Sequence, residues 1–289
     1  MKILSMQSWV AFGHVGNAAA IFPLQRLGAE VLAIHTVQFS NHTGYGDWTG
    51  QVFTGDHLHD LARGLAARGA LSLDAALSGY LGDAGVGRAI LDIVAQARAA
   101  SPAMLYCCDP VMGDTGRGLF VHPDIPPLLL DHAAPAADIM TPNQFELEQM
   151  TGISCHSRAE LLRAISSLQD RMRRDGPRLV LVTSVRTGET ADDTVELVAA
   201  SPEASFLLKT PRLPLNANGA GDLIAALFLF HVASGDRSGA ALRHALECAG
   251  SATWAVLART ASAGSAELCL VAAQDEIVSP TSRYDARSL

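Results

Sequence analysis

Residues 218–232 read NGAGDLIAALFLFHV, and this stretch decides how the surrounding sequence is interpreted. Gly219 and Gly221 let the backbone approach a ligand closely, and the apolar run after them predicts a buried helix. The free amides at the start of a helix, together with the helix dipole, form a binding site for anions. Asp222 lies where those amides converge. Its carboxylate therefore either orients and deprotonates a hydroxyl group next to a bound anion or only caps the helix.

Outward from this segment, short β-branched runs alternate with longer stretches rich in Ala, Leu and Arg. The runs predict strands at Ile3–Met6, Val31–Thr36, Ala75–Ser78, Met104–Cys108, Asp138–Met140, Leu179–Thr183, Val195–Ala199, Phe206–Lys209 and Leu268–Ala272. The longer stretches predict helices at Gly16–Leu27, Asp56–Arg68, Val86–Ala99, Gln144–Met150, Arg158–Arg174, Asp222–Ala233 and Ala240–Arg259. Such alternation is typical of right-handed βαβ units, so we expect an α/β fold with a central, mostly parallel sheet.

The chain offers no obvious internal boundary, so we expect one domain over residues 1–289. The polar segment Val185–Ser205 indicates a hairpin or flap within that domain. The polar residues Ser279–Leu289 indicate a mobile C-terminal tail.

Composition excludes several classes of function. A net charge of −8 and a pI of about 5.6 disfavour nucleic acid as a partner. The longest apolar run, residues 223–230, is too short to cross a membrane. Only Lys2 and Lys209 are lysines and neither follows a glycine, so the chain has no Walker A loop. Any phosphate must therefore be held by backbone amides, helix starts, arginine or a metal ion.

The cysteines point to a reducing environment. The chain has five, an odd number, with no Cys-x-x-Cys pair, which disfavours a disulfide framework or a zinc site. Cys107 and Cys108 are adjacent in a predicted strand and should face opposite sides of the sheet. We expect a cytoplasmic protein in which these side chains are core residues.

Ligands of open parallel sheets bind at the carboxyl ends of the strands, so the residues just after each strand matter most. Asp109 ends a predicted buried strand, where a lone carboxylate is costly unless it meets a cation or ligand; the alternative is a turn before Pro110. Asn143 and Glu146 lie one helical turn apart, and their oxygens suit Mg²⁺, usually through water. The alternative for this pair is helix capping.

A fourth segment, residues 36–45, reads TVQFSNHTGY and is dense in hydrogen-bonding and aromatic groups. With Ser8 and Tyr80 it could enclose a flat polar heterocycle by ring stacking and directed hydrogen bonds. The segment carries no arginine or lysine, which favours an uncharged ligand. The alternative is an ordinary polar surface loop.

Taken together, these motifs resemble the pyridoxal kinase family within the ribokinase-like superfamily, over essentially the whole chain. The resemblance implies a ribokinase-like α/β fold with helices on both faces of the sheet. It also implies ATP-dependent phosphorylation of the 5′-hydroxyl group of pyridoxal and related B6 vitamers, with Mg²⁺ required, K⁺ as activator and a homodimer as the assembly. No nucleic acid or membrane partner is expected.

The resemblance also implies roles for individual residues. The catalytic base would be Asp222, and the anion hole for the transferring phosphoryl group would be Gly219, Ala220 and Gly221. Contacts with pyridoxal would come from Ser8, Thr43 and Tyr80, with His42 and Gly44 close by. The ATP and metal site would be lined by Asp109, Thr141, Asn143, Glu146, Thr183 and Ser184. Nucleotide contacts from Thr210, Arg212 and Leu213 are assigned by position, because residues 185–214 match the family poorly.

One departure and three alternatives accompany this interpretation. Some family members have Thr where this chain has Ala220, so a hydroxyl group is absent near the phosphates. The nearest rival is another kinase of the superfamily, acting on hydroxymethylpyrimidine or a sugar. A pyridoxal-phosphate enzyme would need a Schiff-base lysine, for which Lys209 is the only interior candidate. A non-catalytic nucleotide-binding protein would keep the glycines without needing Asp222.

Overall fold

The computed structural model describes residues 1–215, 217–236 and 238–289. Its strands are β1 (Lys2–Val10), β2 (Glu30–Phe39), β3 (Gly50–Val52), β4 (Ala75–Ser78), β5 (Leu105–Cys108), β6 (Gly113–Asp114), β7 (Gly118–Leu119), β8 (Ile139–Met140), β9 (Leu179–Val185), β10 (Thr194–Ala200), β11 (Ser205–Pro211) and β12 (Arg287–Ser288). Its helices are α1 (Asn17–Arg26), α2 (Gly55–Ala66), α3 (Ala84–Ala100), α4 (Ile125–Leu128), α5 (Gln144–Thr151), α6 (Arg158–Gln169), α7 (Ala220–Ser234), α8 (Gly239–Ser262) and α9 (Gln274–Val278).

In the described residues, ten strands form one sheet in the order β12–β11–β10–β9–β8–β5–β4–β1–β2–β3. The neighbours from β2 through β1, β4, β5 and β8 to β9 are parallel. Strand β3 adds an antiparallel edge on one side, and β10, β11 and β12 add antiparallel strands on the other. The prediction of an α/β fold with a mostly parallel sheet is therefore confirmed, and β9 and β10 form the hairpin expected between residues 185 and 205.

The sheet has a hydrophobic core on each face, because alternate side chains of every strand point to opposite sides. Leu4 and Met6 of β1 join a cluster that includes residues of α2 to α6. Ile3 joins a second cluster, formed with α1, α7, α8 and α9. Cys108 belongs to the first cluster and Cys107 to the second, as their adjacency predicted. Helices thus cover both faces, and the carboxyl ends of the parallel strands open between these layers.

Local sequence explains where the main helices begin. Helix α6 starts with the predicted capping box, in which Ser157 accepts from the Glu160 amide and Glu160 accepts from the Ser157 amide. Helix α7 is apolar on all sides, and Leu223–Leu229 are buried because α7 lies between the sheet and the helices α1 and α8. Among the described residues, no helix combines the length and the apolar character needed to cross a bilayer.

Two predicted elements differ from the structure. Residues Leu268–Ala272 form a turn that leads into α9, not a strand. Leu268 and Leu270 are buried at alternate positions, which produces the strand-like pattern. Val271, which follows Leu270 and precedes α9, is 62% exposed. The helix predicted over Arg158–Arg174 ends at Gln169, because the chain turns there and Arg173 pairs with the buried carboxylate of Asp138.

The prediction of a mobile C-terminal tail is wrong. Residues Arg287 and Ser288 pair with Leu207 and Phe206 at the outer edge of the sheet. Ala286 is only 2% exposed, and its amide donates to Glu247 Oε1 at 2.9 Å. Residues 287–289 are exposed at the outer edge of the sheet, so polar side chains there do not prevent the segment from docking.

We expect Ala286→Asp to lower the free energy of unfolding by about 2 kcal/mol or more, because the new carboxylate would have to be buried or would expel the tail from the sheet. The matched control is Arg287→Asp at the neighbouring exposed position, with an expected change within about 0.5 kcal/mol. Urea unfolding of both variants measures the difference. Equal stabilities for the two variants would mean that the tail does not dock in solution.

Candidate active site

A cleft of about 470 Å³ opens at the carboxyl ends of the parallel strands, where the sequence placed the ligand edge. It is bounded by residues at or just beyond the ends of β1, β2, β4, β5, β8 and β9 and by the start of α7. All the site residues named from the sequence line this cleft: Ser8, Thr43, Gly44, Tyr80, Asp109, Thr141, Asn143, Glu146, Thr183, Ser184, Thr210, Arg212, Leu213, Gly219, Ala220, Gly221 and Asp222.

The start of α7 forms the floor at the middle of the cleft. Gly219 is the N-cap residue and has a φ of 89°, a conformation that favours glycine. A side chain here would also collide with the carbonyl oxygen of His14. The amides that follow therefore face the cleft without a capping side chain, which is the arrangement that binds anions at a helix start.

Asp222 lies in the first turn of α7, three residues after the N-cap residue Gly219. Its carboxylate is partly buried and accepts hydrogen bonds from the Gly16 amide and from its own amide. Burial raises the pKa of Asp222 to about 6, and the two amides oppose that rise. At neutral pH this carboxylate is mostly ionised but is a stronger base than an exposed aspartate.

Two further carboxyl groups lie in the cleft and are almost fully buried. Asp109 is 5% exposed and accepts from Thr141 Oγ1 at 2.9 Å. Glu146 is 4% exposed; its Oε1 accepts from the Met112 amide and its Oε2 from the Asn143 amide, both at 2.9 Å. Asn143 Oδ1 accepts in turn from the Glu146 amide, so the pair forms the capping box that the sequence left as an alternative.

These carboxyl groups act on one another electrostatically. Burial and the negative charges of Glu146 and Asp222 hold the pKa of Asp109 well above its usual range. Burial likewise raises the pKa of Glu146 to about 7, opposed by the three amides that it accepts from. A cation between them would relieve both effects. The described residues contain no group of three or more His, Cys, Asp or Glu side chains close enough to surround a metal ion, so other oxygens would have to complete its coordination.

Strand β9 contributes a bulge to the same edge of the sheet. Its register against β10 shifts between Val182 and Val185, and Ser184 has a φ of 53°. A serine with positive φ is strained, and such strain often occurs where a side chain is turned toward a ligand. Ser184 is exposed in the cleft, whereas Thr183 beside it is buried.

The end of the cleft nearer β1, β2 and β4 has aromatic and small polar walls. Tyr80 packs with Val10, Val37 and Phe39, and its carbonyl oxygen accepts from Thr36 Oγ1 at 2.8 Å. A 3₁₀ turn, Thr43–Tyr45, lies over this end. A flat ring fits between such surfaces better than a sugar does, because ring faces stack.

The opposite end contains residues that sequence reasoning missed. Helix α8 contributes Gly250, Thr253, Trp254 and Leu257, and β10 contributes Val195 and Leu197. Trp254 Nε1 donates to the Pro211 carbonyl at 2.9 Å, and Tyr284 packs against the same ring at 5.2 Å. Nothing in the periodicity of α8 distinguishes these residues from core residues.

A second missed contribution comes from the β6–β7 hairpin, which brings Arg117 to the mouth of the cleft. Arg117 donates to Asn218 Oδ1 at 3.5 Å and lies over the Phe120 ring at 5.4 Å. The loop over residues 36–45 has no basic residue of its own, as the sequence showed, but this hairpin supplies one beside it. In the sequence, the two closely spaced glycines at 116 and 118 were the available indication of this turn, and both have a positive φ in the structure.

Lys209, the candidate Schiff-base lysine, lies in β11 outside the cleft lining. Its Nζ forms an ion pair with Glu196 Oε1 at 2.7 Å, and Glu196 also pairs with Arg158. An amine held as a cation in this way is a poor nucleophile.

The cleft combines an anion-binding helix start, a carboxylate of raised pKa and a set of buried carboxyl groups suited to a cation. Together these features fit phosphoryl transfer to a hydroxyl group.

Comparison with known proteins adds a family match and two similar relatives from sequence. A family model described as phosphomethylpyrimidine kinase matches residues 69–266. The chain is 55% identical over 289 residues to a protein of Granulibacter bethesdensis named pyridoxal kinase PdxY, covering 99% of both. It is 51% identical over 288 residues to a protein of Deinococcus radiodurans with the same name, covering 99% of this chain and 95% of that one.

Among solved structures, the chain is similar to the pyridoxal kinase from Leishmania donovani in complex with ADP and pyridoxamine. The TM-score is 0.89 at 26% sequence identity, and the match covers 100% of this chain and 99% of the other.

We expect Asp222→Asn to raise the free energy of unfolding at about pH 8 by about 1–3 kcal/mol. The unfolded chain loses this proton near pH 3.8 and the folded chain only near 6, so stability falls as pH rises between those values and stays lower above them. The gain should largely disappear near pH 4. Urea unfolding at both pH values measures it, with Asp175→Asn as an exposed control. If the variant is no more stable at the higher pH, burial does not disfavour this carboxylate.

Proposed function

The chain belongs to the pyridoxal kinase family, and we propose that its cleft transfers the terminal phosphoryl group of ATP to the 5′-hydroxyl group of pyridoxal. The product is pyridoxal 5′-phosphate, and the reaction salvages vitamin B6. The observation that carries the proposal is the position of Asp222. It lies at the start of α7, between an end of the cleft lined by β10, β11 and α8 and an end lined by Tyr80 and the 3₁₀ turn.

In this proposal Asp222 is the catalytic base. Its carboxylate accepts the proton of the 5′-hydroxyl group as that oxygen bonds to the γ-phosphorus of ATP. The bond from this phosphorus to its bridging oxygen breaks, and ADP leaves with the electron pair. A pKa of about 6 supports the role, because a base works best when its pKa lies near the operating pH.

Charge on the transferring group would be met by the amides of Gly219, Ala220 and Gly221 at the positive end of α7. Ala220 offers no hydroxyl group, so these amides would supply more of the hydrogen bonding to the transferring phosphoryl group. Arg117 would add a cation, since its partner Asn218 directly precedes the glycines. With no lysine lining the cleft, Arg117 and Arg212 are its basic side chains among the described residues.

Mg²⁺ would be held by Asp109, with Glu146 and Asn143 acting through water molecules. The buried carboxyl groups fit a cation, since the pKa values of Asp109 and Glu146 are raised partly by their neighbours' negative charge. The capping box already uses Oε2 of Glu146 and the side chain of Asn143, and Oε1 of Glu146 accepts from the Met112 amide, which favours an indirect contact. When bound, Mg²⁺ supplies neutralisation of phosphate charge. K⁺ is proposed as an activator.

The nucleotide would occupy the end of the cleft formed by Val195, Leu197, Gly250, Trp254 and Leu257, whose apolar surfaces suit an adenine ring. Thr253 supports this placement, because its hydroxyl group is buried and has no hydrogen-bond partner among residues 1–215, 217–236 and 238–289. Thr183, Ser184, Thr210, Arg212 and Leu213 would contact the remainder of the nucleotide.

The pyridine ring would occupy the other end, in contact with Ser8, Thr43 and Tyr80 and close to His42 and Gly44. The backbone of Gly16 lies against Ser8, so no side chain is possible at Gly16, and the same Gly16 donates to Asp222. The ring and the base are thus held by adjoining parts of one loop. The distance between them is set by backbone packing and not by flexible side chains.

We also propose a cytoplasmic homodimer. Phe12, Tyr45, Trp48 and Val52 are exposed apolar residues close to β3, the edge strand of the sheet. An unpaired edge beside an apolar patch is suited to a second copy of the chain. The five cysteines are free, which suits a reducing compartment. Light scattering of the purified protein gives the mass directly.

The decisive experiment incubates purified protein with ATP, Mg²⁺ and K⁺ and measures pyridoxal 5′-phosphate by chromatography. Asp222→Asn should lower kcat at least about 100-fold while ATP still binds, and Asp175→Asn should leave kcat unchanged. Omitting Mg²⁺ or K⁺ tests each ion. Hydroxymethylpyrimidine is the rival substrate, since the matching family model carries that description.

Two results would contradict the proposal. If the protein phosphorylates hydroxymethylpyrimidine and leaves pyridoxal unchanged, the substrate is wrong. If Asp222→Asn keeps more than about a third of the wild-type kcat, Asp222 is not the base.

We expect Tyr80→Ala to raise KM for pyridoxal about threefold to tenfold, because aromatic stacking contributes about 0.5–1.5 kcal/mol beyond burial. KM for ATP should stay within about twofold, since Tyr80 lies at the other end of the cleft. The matched control is Tyr284→Ala, which removes a ring that touches Trp254 and should leave KM for pyridoxal unchanged. Steady-state kinetics with each substrate varied in turn gives both values; equal increases in the two KM values for Tyr80→Ala would argue against stacking.

A further inference from the structure

Glu267 is a carboxylate that the mechanism above does not use, although it collects three hydrogen bonds from distant parts of the chain. Its Oε1 accepts from Tyr45 OH at 2.7 Å and lies 3.1 Å from His42 Nε2. Its Oε2 accepts from the His14 amide at 3.0 Å.

The segment that carries Glu267 is firmly anchored. Ser265 Oγ donates to the Glu267 carbonyl at 2.7 Å and accepts from the Glu267 amide at 3.2 Å. Leu268 directly after it is 1% exposed in the core shared with α7 and α8. The carboxylate is therefore a fixed point, and the two loops that donate to it are positioned against the core.

Each of those loops forms part of the cleft. The first, residues 11–16, supplies the Gly16 amide to Asp222, and its His14 carbonyl packs on Gly219. The second, residues 40–49, places His42, Thr43 and Gly44 in the cleft wall. His42 stacks on Tyr45 with ring centroids 4.5 Å apart, so both donors of this loop are held together.

Glu267 itself does not line the cleft, so any effect on the reaction must pass through these loops. Its side chain is 13% exposed, and its partners reach it across 222 to 253 residues of sequence. Two loops that could move independently share one acceptor. Losing that acceptor frees the wall of the cleft without removing any group that would touch the substrate.

We propose that Glu267 is a positioning residue that fixes the pyridoxal end of the cleft relative to the catalytic base. The inference rests on the proposed function, because it assigns Glu267 to pyridoxal affinity in particular. Through His42 and Tyr45 it holds the 40–49 loop over the substrate, and through the His14 amide it holds the loop that orients Asp222. Within the described part of the chain, no side-chain hydrogen bond or ion pair joins Glu267 to a residue at the nucleotide end of the cleft.

The test is steady-state kinetics of Glu267→Gln and Glu267→Ala. Gln retains the shape but cannot accept from all three donors, so KM for pyridoxal should rise about tenfold, and further for Ala. KM for ATP should remain within about twofold for Gln. Tyr45→Phe removes one donor and should raise KM for pyridoxal less, and its effect combined with Glu267→Gln should be smaller than additive.

The matched control is Glu276→Gln. Glu276 lies in α9 and accepts from the Thr281 amide and hydroxyl, so it has comparable hydrogen bonds in the same part of the chain. Its variant should change neither KM value. Thermal unfolding of every variant, including Tyr45→Phe, keeps the test informative if Glu267→Ala folds poorly.

The outcomes separate this inference from the proposed function. If wild-type protein makes no pyridoxal 5′-phosphate, the proposed function fails first. If it does, and Glu267→Gln keeps KM for pyridoxal within about twofold, the positioning role is wrong. Equal increases in KM for pyridoxal and ATP together with a lower Tm would assign Glu267 a purely structural role and would also overturn the inference.

Discussion

Gly219 begins helix α7 with a φ of 89°, and the carbonyl oxygen of His14 occupies the space into which a side chain at that position would project. This backbone contact sets the distance between the helix start and the loop over residues 11–16. The loop in turn places the Gly16 amide on Asp222 and the backbone of Gly16 against Ser8. The start of α7, the Asp222 carboxylate and the backbone around Ser8 are therefore parts of one packed unit, which a side chain at either glycine would force apart.

Carboxyl groups dominate the electrostatics of that unit. Asp109, Glu146 and Asp222 come from three different parts of the chain, yet burial raises the pKa of all three. The negative charges of Glu146 and Asp222 raise the pKa of Asp109 further, and the charge of Asp114 raises that of Glu146. Such an arrangement lowers the stability of the folded chain and persists in proteins because a ligand compensates it. In a kinase, the metal ion that accompanies the nucleotide supplies positive charge that offsets the charge of such carboxylates.

The two ends of the cleft are built differently, which matches the two substrates of a kinase. The end that we propose for pyridoxal depends on loops after β1, β2 and β4, held by single hydrogen bonds to anchored side chains such as Glu267. The end that we propose for the nucleotide depends on antiparallel strands β10 and β11 and on helix α8, which are continuous with the core. Changes at the first end should therefore alter substrate affinity, whereas changes at the second should also alter stability.

The sequence alone was enough to predict the α/β class, most of the strands and helices, and many of the residues that line the cleft. Apolar periodicity and the glycines around residue 220 are local properties, and ligands of parallel sheets bind at a known edge, so these features needed no tertiary information. The sequence prediction was wrong about residues 268–272, because burial at alternate positions does not reveal whether a partner strand exists. It was wrong about the tail for the same kind of reason, since polar composition does not reveal that β11 pairs with it. The tertiary contacts were needed to show that α8 lines one end of the cleft, that Arg117 reaches the cleft, and that Glu267 joins two loops. These features depend on contacts between residues from about 40 to more than 250 positions apart, and no local pattern in a sequence records such contacts.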